Sequence, residues 1–314
     1  MIPKLAPKAV QVVQKRALGL IIANLKPPST LFLSLEGRGI GSDGTIAPNA
    51  SLDFISLFQR RDGPSVFASR QRQRSNVPEP SKLVSDTTLY VLNMVKLRSQ
   101  AWEAADASGL RRSLRSVLQS NMHTKVVWSA RHTAKVLYTL FGVRLGEPVV
   151  DLELMMSTAY PNAPGDSNTL DMEAAMARDG RLRPEVMDAW RAHRDAGLDL
   201  YLAEDVFAPS KLRREIIEHA GNNVRGLPSL YATYCHVLSE QQQAAVRDKS
   251  VALVAETIRE AGTPRMDVFG LENQRMRKAE QRQKQLKREE KRAKKMAKRE
   301  GKLAQEKLER ELDW

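Results

Sequence analysis

Five short runs of β-favouring residues, and the point beyond which none recur, constrain this chain more than any other feature. They are LFLSLE (31–36), LDFISLFQR (52–60), TLYVLNM (88–94), KVVW (125–128) and EPVVDLELM (147–155), the last a short strand running into helix. No helix-length amphipathic segment separates the first three. Residues 37–51 are polar and rich in Gly, Ser, Asp and Asn, which predicts a loop. Residues 62–87 are hydrophilic, with Pro64, Pro78 and Pro80, and predict a long surface insertion. Helical patterns intervene only later: VKLRSQAWEAAD, SGLRRSLRSVLQS started by Ser108, and SARHTAKVLYTLFG closed by Gly142. After Asn168 the chain reads as helix throughout, in MEAAMARD, RPEVMDAWRAHRDAG, SKLRREIIEHAGN, LPSLYATYCHVLS and EQQQAAVRDKSVALVAETIREA. Three strands, helices, strand, helix, strand specify an α/β fold. The expectation is a mixed five-stranded sheet flanked by helices, with a helical C-terminal region.

Before the first strand, Val10, Val13, Leu18, Ile21, Ile22 and Leu25 recur near helical spacing, predicting an entry helix over 8–24 that stops at Pro27-Pro28. The first 26 residues carry five basic side chains and no acidic one, as a mitochondrial import segment does. The two readings can coexist. The expected location is mitochondrial, otherwise nuclear or cytoplasmic. The predicted organisation is 1–28 entry helix, 29–167 sheet core, 168–272 helical remainder and 273–314 charged tail.

The formal charge is +13 and the isoelectric point 9.9, which calls for a polyanionic partner. Residues 271–314 hold 16 Lys/Arg against nine Asp/Glu, about half of that excess. The tail's composition favours one long charged helix lying along a polyanion, the alternative being a solvated or disordered tail; Leu286, Met296, Leu303, Leu308 and Leu312 keep no heptad, so a coiled coil is not expected. Candidate nucleic-acid contacts are Arg60, Arg61, Arg70, Arg72 and Arg74 around the insertion. In the tail they are Arg282, Lys287, Arg288, Lys291, Arg292, Lys294, Lys295, Lys298 and Arg299. Aromatics make up only 5% of the chain, which argues against base stacking as the main mode of contact. The single cysteine, Cys235, excludes an internal disulfide and a cysteine-based zinc cluster. No apolar run approaches the ~20 residues of a bilayer span.

Several segments, taken in order over about residues 8–262, resemble the DEDD 3′–5′ exonucleases, in particular the RNase D and Egalitarian-like branch with its ribonuclease H-like fold. The strand LFLSLEG (31–37) followed by GTI (44–46) is similar to that group's LFVDLEG strand and GTI turn. LYVLNM stands for its second strand. KVVWSARHTAKVLYTLFGVRL (125–145) follows a segment of the type KVFHDVRNDSDALYNLFGIRL without a gap, and VVDLELMM (149–156) follows VEDVQLME. SKLRREIIEHAGNNVRGLPSLY (210–231) follows LPEEIREYCAGDVRFLPRLY.

The resemblance implies four metal-binding acids, which fall on Ser34, Glu36, Thr133 and Asn223. A tyrosine that orients the attacking water in many members falls on His219. Only Glu36 is an acid. Two divalent ions about 4 Å apart repel by roughly 17 kcal/mol at an effective dielectric of 20; four carboxylates offset that, and one does not. Asp151 lies where members also carry an acid and could hold one ion weakly with Glu36, but the favoured expectation is that it caps the following helix or pairs with a basic neighbour. His132 and His219 form no metal-ligand pair at helical spacing, and His219 reads as a partly exposed helix residue.

The expectation is therefore a catalytically inactive exonuclease-like protein with no metal and no cofactor. It would serve as an RNA-binding, structural component of a ribonucleoprotein assembly, the mitochondrial ribosome being the particle that fits its N terminus. The alternatives are an active metal-dependent exonuclease with unusual ligands, or a protein-interaction scaffold. Oligomeric state is left open.

Overall fold

In a computed structural model, the described residues are 9–25, 27–41, 44–61, 89–103, 112–161, 171–180, 182–202, 212–265 and 289. The chain divides into two units, Met1–Met266 and Asp267–Trp314; in the second only Glu289, helical and exposed, is described. All of the insertion 62–87, and all of the tail 273–314 but Glu289, therefore lie outside the described residues.

Among the described residues the sheet has six strands: β1 (Ala9–Val12), β2 (Ser29–Ile40), β3 (Ile46–Arg61), β4 (Leu89–Asn93), β5 (His123–Val127) and β6 (Val149–Asp151), in the order β1-β4-β3-β2-β5-β6. β3 is antiparallel to both its neighbours, β2 and β4; the pairs β1–β4, β2–β5 and β5–β6 are parallel. This is the expected mixed α/β sheet flanked by helices, with one strand more than the five expected. The added strand comes out of the predicted 8–24 helix. Ala9–Val12 pairs with Leu89–Leu92 at the sheet edge, and helix α1 begins only at Lys15 (Lys15–Asn24). The β-branched Val10 and Val12 suit an edge strand as well as they suit a helix.

The polar stretch predicted as a loop is largely hairpin. β2 continues to Ile40 and β3 starts at Ile46, and Ile40 pairs with Ile46. VKLRSQAWEAAD splits into α2 (Met94–Leu97) and α3 (Gln100–Glu103), because Arg98 between them takes a positive φ of 52°. The next helix, α4 (Leu114–Gln119), is capped by Ser113 in a capping box with Ser116 rather than by Ser108, which lies outside the described residues. α5 (Ala130–Phe141) ends at Gly142 in the left-handed conformation, as its sequence predicts.

α6 (Leu152–Ala159), α7 (Met172–Asp179) and α8 (Pro184–Leu202) follow. Two helices predicted around NNVRGLPS are instead one, α9 (Arg214–Val237), which continues through Pro228. Fifteen of its residues are buried, so tertiary burial outweighs the hydrogen bond that proline cannot donate. α10 (Glu240–Ala261) follows, capped by Ser239 in a capping box with Gln242.

The sheet is buried on both faces, so its strands read as near-continuous apolar runs. Phe32, Phe54 and Phe58 point to the side of α9, where Phe32 meets Tyr231 edge-on at 5.9 Å and Phe54 meets Tyr201 at 6.0 Å. Leu31, Leu33, Ile55 and Leu57 alternate with them and are equally buried. Ser56, fully buried on β3, donates to the Ala220 carbonyl (2.6 Å) and fixes α9 against the strand.

Candidate functional site

Open α/β sheets bind ligands in the crevice outside the carboxyl ends of their strands. Here Glu36 lies on β2 beyond its pairing with β5, which ends at Leu33↔Val127. α9 passes over it, and the Asn223 amide donates to Glu36 Oε1 (2.5 Å). Asn223 is held in place by its neighbour. Asn222 Nδ2 donates to the Trp190 carbonyl (2.8 Å), and Trp190 Nε1 donates back to the Asn222 carbonyl (3.1 Å), locking α9 to α8. Two of the five sequence-predicted motif positions are thus joined directly.

The others contribute differently. Ser34 lies two residues before Glu36 on the same face of β2, paired across the ladder with Ser56. Thr133 is buried in α5. Among the described residues, neither side chain hydrogen-bonds the Glu36–Asn223 pair. His219 is buried, at 6% exposure, not partly exposed as its helical position had suggested. Its Nδ1–H donates to the Arg194 carbonyl (2.9 Å), its ring stacks on Tyr201 at 5.8 Å, and burial holds its pKa down. It can pack this closely on α8 because Gly197 opposite has no side chain; a Cβ there would stand 2.2 Å from the His219 Cβ.

Sequence reasoning missed a second acid beside Glu36. The β2–β3 ladder slips at a bulge: Glu36 pairs with Phe54 but Gly37 with Leu52, so Asp53 is the extra residue. Gly37 permits the slip, since a Cβ there would stand 2.2 Å from the Ser51 carbonyl oxygen. Asp53 is fully buried and accepts from Arg38 Nε (3.0 Å), Tyr201 Oη (2.8 Å) and Ser51 Oγ (2.8 Å). The one available signal was a carboxylate inside the apolar run LDFISLF. Arg38 and Tyr201 carried no such signal.

Electrostatics follow from this placement. Glu36 is only half-buried as a residue, but desolvation of its carboxyl pushes its pKa up to about 7; the Asn223 bond opposes the rise and the nearby Asp53 adds to it. Burial also raises Asp53, against the pull of Arg38, Tyr201 and Ser51. The two acids are each committed to donors from the chain itself. Among the described residues no three of His, Cys, Asp and Glu converge as a metal-binding group.

Asp151, the other nearby acid, is the N-cap its sequence predicts. Its Oδ1 accepts from Leu154 N (3.1 Å) at the start of α6 and its Oδ2 from Ala130 N (2.8 Å) at the start of α5. Burial lifts its pKa to about 7 against those bonds.

Of the predicted nucleic-acid contacts, Arg60 lies on β3 with its guanidinium carbon 5.8 Å from the Tyr231 ring centroid. Arg61 ends the same strand. Arg70, Arg72, Arg74, Arg282, Lys287, Arg288, Lys291, Arg292, Lys294, Lys295, Lys298 and Arg299 lie outside the described residues. No described helix is long and apolar enough to cross a membrane.

The chain matches no family model and no curated protein. Among solved structures it is similar to Trypanosoma brucei RNase D in complex with RNA U12, at a TM-score of 0.52 and 14% identity, over 81% of this chain and 72% of that one. The GMP complex of the same enzyme gives 0.53 and 13%, over 83% and 66%. At these identities the likenesses show the fold: the chain is folded like RNase D, a 3′–5′ exonuclease-type α/β fold.

Proposed function

We propose that this chain is a catalytically silent exonuclease fold that holds RNA without cutting it, as a structural component of a ribonucleoprotein assembly. The observation that carries the reading is the Glu36–Asn223 bond beside the Asp53–Arg38 pair. A two-metal phosphodiester site needs several ionised carboxylates around cations about 4 Å apart. The donors at the four motif positions here are one carboxyl and three neutral groups, Ser34, Thr133 and Asn223. That carboxyl is shifted toward its neutral form. Such a set does not fit two Mg²⁺ ions, which favour anionic oxygens and give up water reluctantly.

RNA is the favoured polyanion. T. brucei RNase D, similar in fold, has been captured with RNA U12, and this chain carries a net charge of +13 with a strongly basic tail. The acid-free, basic first 26 residues support a mitochondrial setting, and the mitochondrial ribosome is the assembly proposed.

The test uses the purified full chain and 5′-labelled single-stranded RNA, with Mg²⁺ or Mn²⁺ present. Saturable binding with no shortening of the RNA is expected. Shortening that disappears in Glu36→Ala would establish the active-exonuclease alternative.

A further inference from the structure

We infer that the groove between α5 and α10 is a binding site for a single-chain acyl carboxylate, a ligand with an unbranched apolar body and one anionic end. The inference goes beyond the RNA-holding function and does not depend on it.

The groove has a volume of about 600 Å³, within the range of small-molecule pockets. It lies at the start of β6, where Val149 pairs with Lys125, whereas Glu36 stands past the other end of the parallel strands. Its floor is made of the buried Leu145, Val149 and Val254. One wall is a stripe on α10, where Val251, Ala255, Ile258 and Gly262 recur at helical spacing. From Val251 to Gly262 the stripe runs about 16 Å at 1.5 Å per residue. Such an elongated apolar track suits a chain better than a compact ring.

Both sides of the groove are fixed in advance. The turn that carries Arg144 and Glu147 is held by the Gly146 N–H, which donates to the Leu118 carbonyl (2.9 Å). The buried Lys125 holds it as well, its Nζ donating to the carbonyls of Glu147 (3.1 Å) and Ser120 (2.5 Å). On the other side, Ser250 of α10 accepts from the Asp151 N–H of β6 (3.1 Å), and beyond α10 the Arg265 N–H donates to the Thr139 carbonyl of α5 (2.7 Å). A pre-formed groove spares a ligand the cost of ordering the protein.

Charge selects the end group. The charged residues lining the groove are Arg144, Glu147 and Arg259, a net positive set, and all three are exposed. Among the described residues no carboxylate pairs with either arginine. A carboxylate matches the planar guanidinium fork, and an inorganic anion would leave the apolar track unused.

The experiment is isothermal titration calorimetry of the full chain with decanoate, and with decanol and decylammonium as its neutral and cationic counterparts. Decanoate is expected to bind at a single site with a Kd of about 100 μM, and each counterpart about tenfold more weakly or worse. Arg144→Gln and Arg259→Gln, both at exposed positions, should each weaken decanoate about fivefold. Ala255→Phe, also at an exposed position, fills the track and should abolish binding. A cooperative thermal melt verifies that each variant is folded.

Absence of saturable decanoate binding overturns the inference, and so does an affinity that Ala255→Phe or the two arginine variants leave unchanged, since the ligand then sits elsewhere. Equal affinity for decanol or decylammonium overturns the assignment of a carboxylate. Each of these results leaves the proposed function standing, because none involves RNA.

Discussion

Replacing Glu36 with Gln should stabilise the protein, and only above acidic pH. Gln keeps the oxygen that accepts from Asn223 but cannot ionise. In the folded protein the Glu36 pKa rises from its ordinary 4.5 to about 7. At about 1.4 kcal/mol per pH unit that corresponds to about 3 kcal/mol, and the residue's partial exposure brings the expected effect to about 2 kcal/mol. The sign follows from linkage. A carboxyl whose folded pKa exceeds its unfolded one contributes stability that is fully present below about pH 4.5 and is lost as the pH rises through about 7. The variant has no such loss. Its advantage over the unaltered chain should be near zero below pH 4.5, grow between 4.5 and 7, and level off above. Removing the charge beside Asp53 acts in the same direction, because Asp53 is among the causes of the Glu36 shift. Urea denaturation of both proteins at pH 4.5, 6, 7 and 8 measures the difference. A variant less stable at pH 8, or a difference that does not change with pH, would refute the claim that this carboxyl sits desolvated and near-neutral in the cleft.

Three further outcomes are expected. Asp151→Asn keeps one acceptor oxygen where two backbone N–H groups now bind, so in the same denaturation assay it should lower stability by about 1–3 kcal/mol at pH 5, a loss that relief of the buried charge offsets as the pH rises through about 7. Gly197→Ala and Gly226→Ala both gain helix propensity, about 1 kcal/mol each, but their surroundings differ. A Cβ at Gly197 meets the His219 Cβ at 2.2 Å and the Glu215 carbonyl oxygen at 2.8 Å, whereas at Gly226 it meets only the flexible Met176 side chain. Thermal melts should therefore show Gly197→Ala more damaging by about 2 kcal/mol or more. Deleting 273–314 should weaken RNA binding and flatten its salt dependence by several single-strand contacts, read by anisotropy at several salt concentrations; an unchanged affinity would count against the tail as a contact.

What the sequence disclosed was local, and what it hid was made by pairing. β2 and β3 were legible because both faces are buried, leaving the apolar runs LFL and FISLF uninterrupted. Gly142 and Asp151 were legible as helix stop and helix cap because each acts within its own few residues. β1 was not, since Ala9–Val12 becomes a strand only through β4, far along the chain, and its valines also fit helical spacing. The continuity of α9 through Pro228 depends on neighbours that bury it. The candidate site divides in the same way. Glu36 and Asn223 could be named from their motif positions. Asp53 joins them only because the ladder slips by one residue, and Arg38 and Tyr201 only because Asp53 does.

The central claim is that this cleft cannot hold a pair of divalent cations, and titration of Mn²⁺ into the full chain, followed by electron paramagnetic resonance, tests it most directly. The account predicts that Mn²⁺ remains in the free-ion signal up to millimolar concentration, with no difference between the unaltered chain and Glu36→Gln. Two tightly bound, spin-coupled Mn²⁺ ions per chain, lost in Glu36→Gln, would contradict it.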